Sequence, residues 1–241
     1  MNSQFIHLTL KEQNASIYRV FSIHRLLEIF SSNKNTLVRP GLWDDPFENF
    51  ILTLAIQASP DPNAYMAVKD GFYGQCWSLL RESDAMWRIY SPDKNGVKVK
   101  TTVKKLFDSL GESEETDGEC FIGKVSYKKD AGLRRRLQNR DWLNQEIASS
   151  TSQATSLLFK RVEFEHEAEI RLLYLSTNQQ PTSNNLFSYT IEPKELFDEI
   201  EFDPRLSEEV YNAYKYYLAN KIGFENPINQ SKLYKVPNIK L

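Results

Sequence analysis

Cysteine is scarce in this chain: Cys76 and Cys120 are the two in 241 residues. They lie far apart in apolar contexts, Gly-Gln-Cys-Trp-Ser and Glu-Cys-Phe-Ile, which fits buried thiols in a reducing compartment better than a disulfide framework or a metal site. The three histidines, His7, His24 and His166, have no ligand spacing between them. Net charge is also nearly absent, at −2 with 26% charged residues, so no global basic field gathers nucleic acid or an anionic membrane, although a local basic groove stays open. No stretch approaches the uninterrupted apolar length of a membrane span, and the first residues lack the basic-then-apolar run of a signal peptide. The expected place is therefore cytoplasmic, with no membrane partner. Repeats and low-complexity linkers are missing, which predicts one domain over 1–241, long enough to bury a real core. Also missing are a P-loop, a dinucleotide-binding glycine pattern, a zinc motif and a nucleophile elbow. Kinase, Rossmann dehydrogenase, zinc hydrolase and serine hydrolase chemistries are disfavoured accordingly.

What is present centres on Phe159-Lys160-Arg161-Val162-Glu163-Phe164-Glu165-His166-Glu167-Ala168-Glu169-Ile170-Arg171-Leu172-Leu173-Tyr174. Its strict alternation predicts one strand. Glu163, Glu165, Glu167, Glu169 and Arg171 then share a side, while Phe164, His166, Ala168, Ile170 and Leu172 face a core, His166 as a satisfied core histidine. Acids in register repel unless something cationic or catalytic uses them. The competing reading is a solvent-facing or edge strand whose charge discourages wrong partners, and spacing alone does not decide between the two.

Around that stretch the text alternates strands and helices. Residues 1–16 read as an arm or edge strand. Ile17-Tyr18-Arg19-Val20-Phe21 is β-branched and aromatic, and Ser22 caps a helix carrying Ile23, Leu26, Leu27 and Phe30. Further strands are predicted at 36–40, 74–80, 96–102, 120–127, 186–191 and 200–202. Ser83 caps a short helix with Met86, Trp87 and Tyr90 on one side. Helical text also covers 103–110, most of 133–159, and 206–222, with one helical turn at 64–68 and another at 193–197. The tail 231–236 reads as a last edge strand. Arg134, Arg135, Arg136 and Arg140 read as a solvated helix face.

Several pieces recur in a fixed order: Tyr18-Arg19, Asp44-Asp45-Pro46-Phe47-Glu48, Cys76-Trp77-Ser78, Met86-Trp87 and Glu167-x-Glu169-x-Arg171. Together, over about residues 17–205, they resemble the bacterial family known as domain of unknown function 2971. The chain departs from that pattern with Arg19 where Lys is common, Arg88-Ile89-Tyr90 where a smaller polar residue often follows the Trp, and Phe164 where Trp is frequent. The same parts look, more distantly, like the Arg, Ser and Glu-x-Glu pieces of mono-ADP-ribosyltransferases. That resemblance implies an α+β fold, a single domain of two small mixed or antiparallel sheets flanked by helices, with NAD as substrate in the cleft of the split sheet. It implies 17–205 as the family-like core and 206–241 as a C-terminal helix and tail.

On that reading Arg19, helped by Tyr18, pairs with the pyrophosphate or ribose of NAD. Ser78 orients the carboxylate, and Trp77, Trp87 or Tyr90 stacks on nicotinamide or adenine. Glu169 stabilises the oxocarbenium-like centre, Glu167 positions or deprotonates the acceptor, and Arg171 holds the acids in register. The acceptor is a nucleic acid, a protein or a small molecule. The role implied is a bacterial toxin or phage-defence effector, with an antitoxin or regulatory protein as a further partner. Two alternatives stay open at this point. One is a metal-dependent nuclease using Asp44, Asp45, Glu48, Glu167 and Glu169. The other is a non-enzymatic sensor or interaction domain with an acidic docking strand. Residue by residue the competing readings are Arg19 as a surface partner of Asp45 or Glu48, Trp77, Met86, Trp87 and Tyr90 as core, and Cys76 as inert.

Overall fold

The computed structural model describes residues 4–43, 45, 71–129, 149–177 and 185–236. Asp44, Glu48, the helical turn at 64–68, the arginines of 134–140 and the helical text of 133–148 lie outside the described residues.

Local signals set most elements. β1 (Phe5–Ile6) precedes β2 (Ser16–Ser22), which runs directly into α1 (Ile23–Ser32). The Ser22 hydroxyl accepts from the Arg25 N–H at the turn between them, and Ile23, Leu26 and Ile29 are the buried stripe of the helix. α1 ends at Asn33 in the left-handed conformation, and β3 (Lys34–Val38) follows. β4 (Phe72–Ser78) leads to α2 (Asp84–Tyr90), whose Ser83 cap accepts from the Met86 N–H. β5 (Gly96–Thr102) passes into α3 (Val103–Gly111) through a Thr102 cap. Caps of this kind are each worth about 1 kcal/mol.

β6 (Glu119–Lys124) and β7 (Ser126–Lys128) replace the single strand expected over 120–127. The break is at Val125, whose N–H goes to the Glu169 carbonyl while that of Ser126 goes to Leu158, so the chain changes partner and sheet. α4 (Ser150–Ser156), β8 (Phe159–Arg161) and β9 (Glu169–Leu175) follow. The chain closes with β10 (Leu186–Thr190), α5 (Pro193–Leu196), β11 (Glu199–Phe202), α6 (Glu208–Tyr216) and β12 (Ile228–Gln230). α6 continues as a π-helical turn, Tyr217–Ile222, stopped by Gly223 at φ 74°. The last strand is thus β12, and 231–236 is not a strand: Ser231 turns the chain there, its hydroxyl accepting from the Leu233 N–H.

The fold is α+β, and the described residues form a large mixed sheet of ten strands and a second of two, β7 parallel to β8. The large sheet runs β1-β6-β9-β4-β2-β5-β11-β12, with β3 against β4 and β10 against β3. Its pairing is uneven. β4 matches β9 over seven residue pairs, and β2 matches β5 over seven, yet β2 and β4 meet only at Tyr18 opposite Ser78. β3 likewise touches β4 at a single pair, Val38 with Gly74. The sheet is therefore two well-paired four-stranded blocks that meet at one bridge, with the β3–β10 pair joined to β4 at another, and the first of these junctions is the split that the resemblance implied.

β9 is buried on both faces. Ile170, Leu172 and Tyr174 enter the larger core with α1 and α3, while Leu173 joins Ile6, Phe72, Phe121, Ala154 of α4 and the following Leu157 and Leu158 on the other side. Among the described residues no helix is long and apolar enough to cross a membrane.

Candidate active site at the split of the sheet

The stretch 159–174 is not one strand. Between β8 and β9, residues Val162–Glu167 coil into a 3-10 turn, which Ala168 ends at φ 43° with its N–H on the Glu165 carbonyl. An unbroken strand would stack like charges along one face. The turn instead leaves Glu163, Glu165 and His166 exposed and tucks Glu167 inside. His166 is accordingly no core residue, and its Nδ1 lies 3.2 Å from the Glu163 carbonyl.

The turn docks on the end of β4. Ser78 Oγ donates to the Glu167 carbonyl at 2.6 Å and accepts from the Leu80 N–H at 3.0 Å, and the Leu79 N–H donates to the Ala168 carbonyl. Ser78 thus orients the acid through its backbone. The Glu169 N–H donates to the Tyr127 hydroxyl at 2.9 Å, which ties the second sheet to the same corner.

Where β2 and β4 diverge beyond their one bridge, a cleft of about 330 Å³ opens, at the lower end of the range for small-molecule sites. Tyr18, Arg19, Val20, Phe21 and Ser22 line one wall; Cys76, Trp77 and Ser78 line the other, with Met86 and Tyr90 of α2 and the two acids Glu167 and Glu169. Of the residues the sequence pointed to, seven come together here: Tyr18, Arg19, Trp77, Ser78, Tyr90, Glu167 and Glu169. Trp87 does not. It is 1% exposed, its Nε1 donates to Glu82 at 2.6 Å, and Lys98 lies over its ring, so it is a core residue behind the cleft and not a stacking surface. Its place on the inward side of a one-sided helix explains this.

The acids sit in a dense ionic network. Arg171, fully buried, donates from Nε to Glu169 Oε1 at 2.8 Å and from Nη2 to Oε2 at 3.0 Å, with Nη1 on the Leu157 carbonyl at 2.6 Å. Its guanidinium lies 4.3 Å from the Trp43 ring. Trp43 packs flat on β4 because position 74 is glycine; a Cβ there would stand 2.6 Å from the indole. Lys160 donates to Glu167 at 2.6 Å and to Glu169 at 3.2 Å. Burial by itself would raise the Glu169 carboxyl, but Arg171 and Lys160 outweigh it, with a contribution from the Cys76 thiol, and hold it down at about 2. Glu169 is ionised at neutral pH. Cys76 is accordingly half-buried at the cleft wall, whereas Cys120 is buried and its thiol is pushed up to about 11 by desolvation.

Arg19 is the opposite case. Among the described residues it makes no hydrogen bond or ion pair, and its guanidinium lies 5.7 Å from the Phe21 ring. Desolvation pulls it down to about 10, which leaves it charged at neutral pH. It is not a partner of Asp45, which pairs with Arg161 at 3.1 Å. Tyr90 is pushed up, by burial first and by Glu167 next, and so keeps its proton.

Two residues at this corner were not singled out as site residues in the sequence. Lys160 precedes the acids, but strand parity places it on the face opposite to them. Cys76 carries no local signal beyond the strand it sits in. Among the described residues no three His, Cys, Asp or Glu side chains gather to hold a metal ion. Glu169 directs both oxygens at protein cations instead, and Glu167 directs one at Lys160.

Residues 86–172 match the family described as Protein of unknown function (DUF2971). No curated protein matches the chain. Among solved structures, similar chains include Thermus sp. 2.9 DarT in complex with NAD+, 14% identical, covering 91% of this chain and 96% of that one at a TM-score of 0.41. The same protein in complex with ADP-ribosylated ssDNA is 12% identical, covering 94% and 97% at 0.41. In complex with carba-NAD+ it is 13% identical, covering 91% and 97% at 0.40. Likenesses this slight decide neither substrate nor residue roles.

Proposed function

We propose that the chain is an NAD-dependent mono-ADP-ribosyltransferase. The observation that carries the reading is the cleft at the single bridge between β2 and β4, which has a guanidinium without a counter-ion on one wall and a fixed, ionised carboxylate on the other. A half-buried cation left unpaired calls for an anionic ligand. The cleft residues therefore fit a pyrophosphate-bearing dinucleotide, for which Arg19 offers a fork of donors and Tyr18, Trp77 and Tyr90 offer ring surfaces. NAD supplies the ADP-ribosyl group and nicotinamide as its leaving group. Glu169, already ionised and held by Arg171, meets the positive charge that develops at the ribose C1′ as the bond to nicotinamide breaks. Glu167 takes the proton from the acceptor atom that bonds to C1′, and nicotinamide leaves as a neutral base with the electron pair.

The acceptor in this proposal is a nucleic acid, a protein or a small molecule. The biological role is that of a bacterial toxin or phage-defence effector, restrained by an antitoxin or regulatory protein.

The test is nicotinamide release from NAD by the purified protein, with and without cell lysate, beside a thermal shift with NAD. Release is expected to need lysate and to fall about 10²–10³-fold in Glu169→Gln, the usual effect of losing one preorganised charge partner of a transition state. Nuclease-treated, protease-treated and ultrafiltered lysates then sort the acceptor class. No shift and no release under any condition removes NAD from the account.

A further inference from the structure

The two acids of the cleft are not equivalent, and the difference turns on a lysine. Glu169 gives both oxygens to Arg171. Glu167 has, among the described residues, one side-chain partner, Lys160 at 2.6 Å, and its other oxygen is left for the cleft. Lys160 is 7% exposed and donates to both acids, so it is the cation they share. Its position on β8 is fixed by the parallel pairing with β7 and by the Phe164 ring, 4.8 Å from Nζ.

We propose that Lys160 is a positioning residue that divides the work of the two acids, holding Glu167 in place as the base beside the fixed charge of Glu169. This rests on the transferase reading. Two carboxylates sharing a site without a cation between them repel, which disfavours the doubly charged state, and the acid with fewer donors is the one that depends on the shared cation. Here that one is Glu167. Among the described residues nothing else at the corner replaces the lysine. Arg171 has Nε and both terminal nitrogens engaged on Glu169 and Leu157, and Arg161, next to Lys160, pairs with Asp45. Arg19 belongs to β2, on the far wall. Tyr90 from α2 and Tyr127 from β7 keep their protons, Tyr127 being pushed up to about 12 by burial, and Cys76 from β4 sits against Glu169. Glu163, Glu165 and His166, on the same turn, are exposed.

The experiment measures kcat and the KM for NAD across pH for nicotinamide release by the wild type, Lys160→Met and Lys160→Arg, with an active acceptor fraction. In Lys160→Met, kcat is expected to fall about 10–100-fold with KM changed by no more than about twofold. Its acid limb is expected to move up by about one pH unit or more, while Lys160→Arg returns the limb to near the wild-type position. Should Lys160→Met not fold, Lys160→Gln keeps a hydrogen-bond donor without the charge and gives the same reading. An acid limb that stays in place in the neutral variants, beside an active wild type, overturns the role of Lys160 alone, as does an equal loss in Lys160→Arg. A wild type that releases no nicotinamide overturns the transferase reading itself, and the role of Lys160 falls with it.

Discussion

Among the described residues two buried acids, Asp203 and Glu169, each pair with an arginine two positions on, and of these Glu169 opens on a cleft. Asp203 and Arg205, just past β11, form a closed knot. Asp203 Oδ1 accepts from the Arg205 N–H and Nε, and Oδ2 accepts from Arg205 Nη2 and the Ser91 hydroxyl. Arg205 also donates to the Trp87 and Ser91 carbonyls, which fastens the end of α2 to the chain after β11. Asp203 is 0% exposed, and its oxygens have all their partners within the protein. Glu169 and Arg171 repeat the same spacing and the same two-pronged bond. There, however, a second acid, Glu167, lines the cleft with one oxygen on Lys160, opposite an unpaired Arg19. A bidentate acid–arginine pair is by itself a structural device; the capacity left around it is what points to chemistry.

The strongest way to break this comparison is to remove each arginine. Arg171→Ala and Arg205→Ala are both expected to lose about 3–5 kcal/mol in chemical denaturation, because each strands a buried carboxylate. Their effects on turnover should separate. Arg205→Ala keeps nicotinamide release per folded molecule, since Asp203 and Arg205 do not line the cleft, whereas Arg171→Ala loses it. Equal loss of specific activity in both would mean that the closed knot is part of the site.

Acid sharpens the same contrast with a smaller effect. A carboxylate whose pKa is depressed on folding contributes stability that is complete above its unfolded value and is lost as pH falls through its folded value. For Glu169 that window runs from the ordinary 4.5 down to about 2. The contribution at stake is about 3 kcal/mol by linkage. Asp203 is depressed as well, burial being outweighed by Arg205 and Ser91, but from a lower starting point of 3.8. Stability measured from pH 6 to 2 should therefore begin to fall first through Glu169, and Glu169→Gln should flatten the upper part of that fall. A variant that follows the wild-type curve throughout would show that Glu169 is not held ionised.

How much of this was legible in the sequence depended on whether a local rule decided each element. Capping serines at positions 22 and 83, and the alternation over 96–102, gave β2, α1, α2 and β5 nearly to the residue, because caps and parity act within a few positions. The focal stretch failed on the same parity rule. Alternation of charge is also what a turn with outward acids looks like, and Ala168 gives no sign that it adopts a left-handed conformation. That one turn moves Lys160 from the face opposite the acids to a position between them, so the lysine could not be found while the strand was read as continuous. Trp87 was misplaced for another reason. A tryptophan on the inner side of a short helix reads the same whether it meets a ligand or the core, and the deciding partners, Glu82 and Lys98, are set by tertiary packing. The resemblance supplied what spacing could not: it brought Arg19 and Glu169, far apart in the chain, to one cleft.

The smallest expected effect tests the wall opposite the acids. Arg19 has no counter-ion among the described residues and is partly desolvated, so it contributes nothing to stability that an uncharged side chain would lose. Arg19→Ala should leave the denaturation midpoint unchanged or slightly raised, the reverse of Arg171→Ala. It should weaken NAD binding by about tenfold to a hundredfold, since hydrogen bonds to a charged group are worth about 1.5–3 kcal/mol. Arg19→Lys keeps the charge and loses the fork, so its NAD affinity should fall between the two. A marked loss of stability in Arg19→Ala would mean that Arg19 is held by the fold after all. The cleft would then have one closed wall like the Asp203 knot, and the case for an anionic ligand would fall.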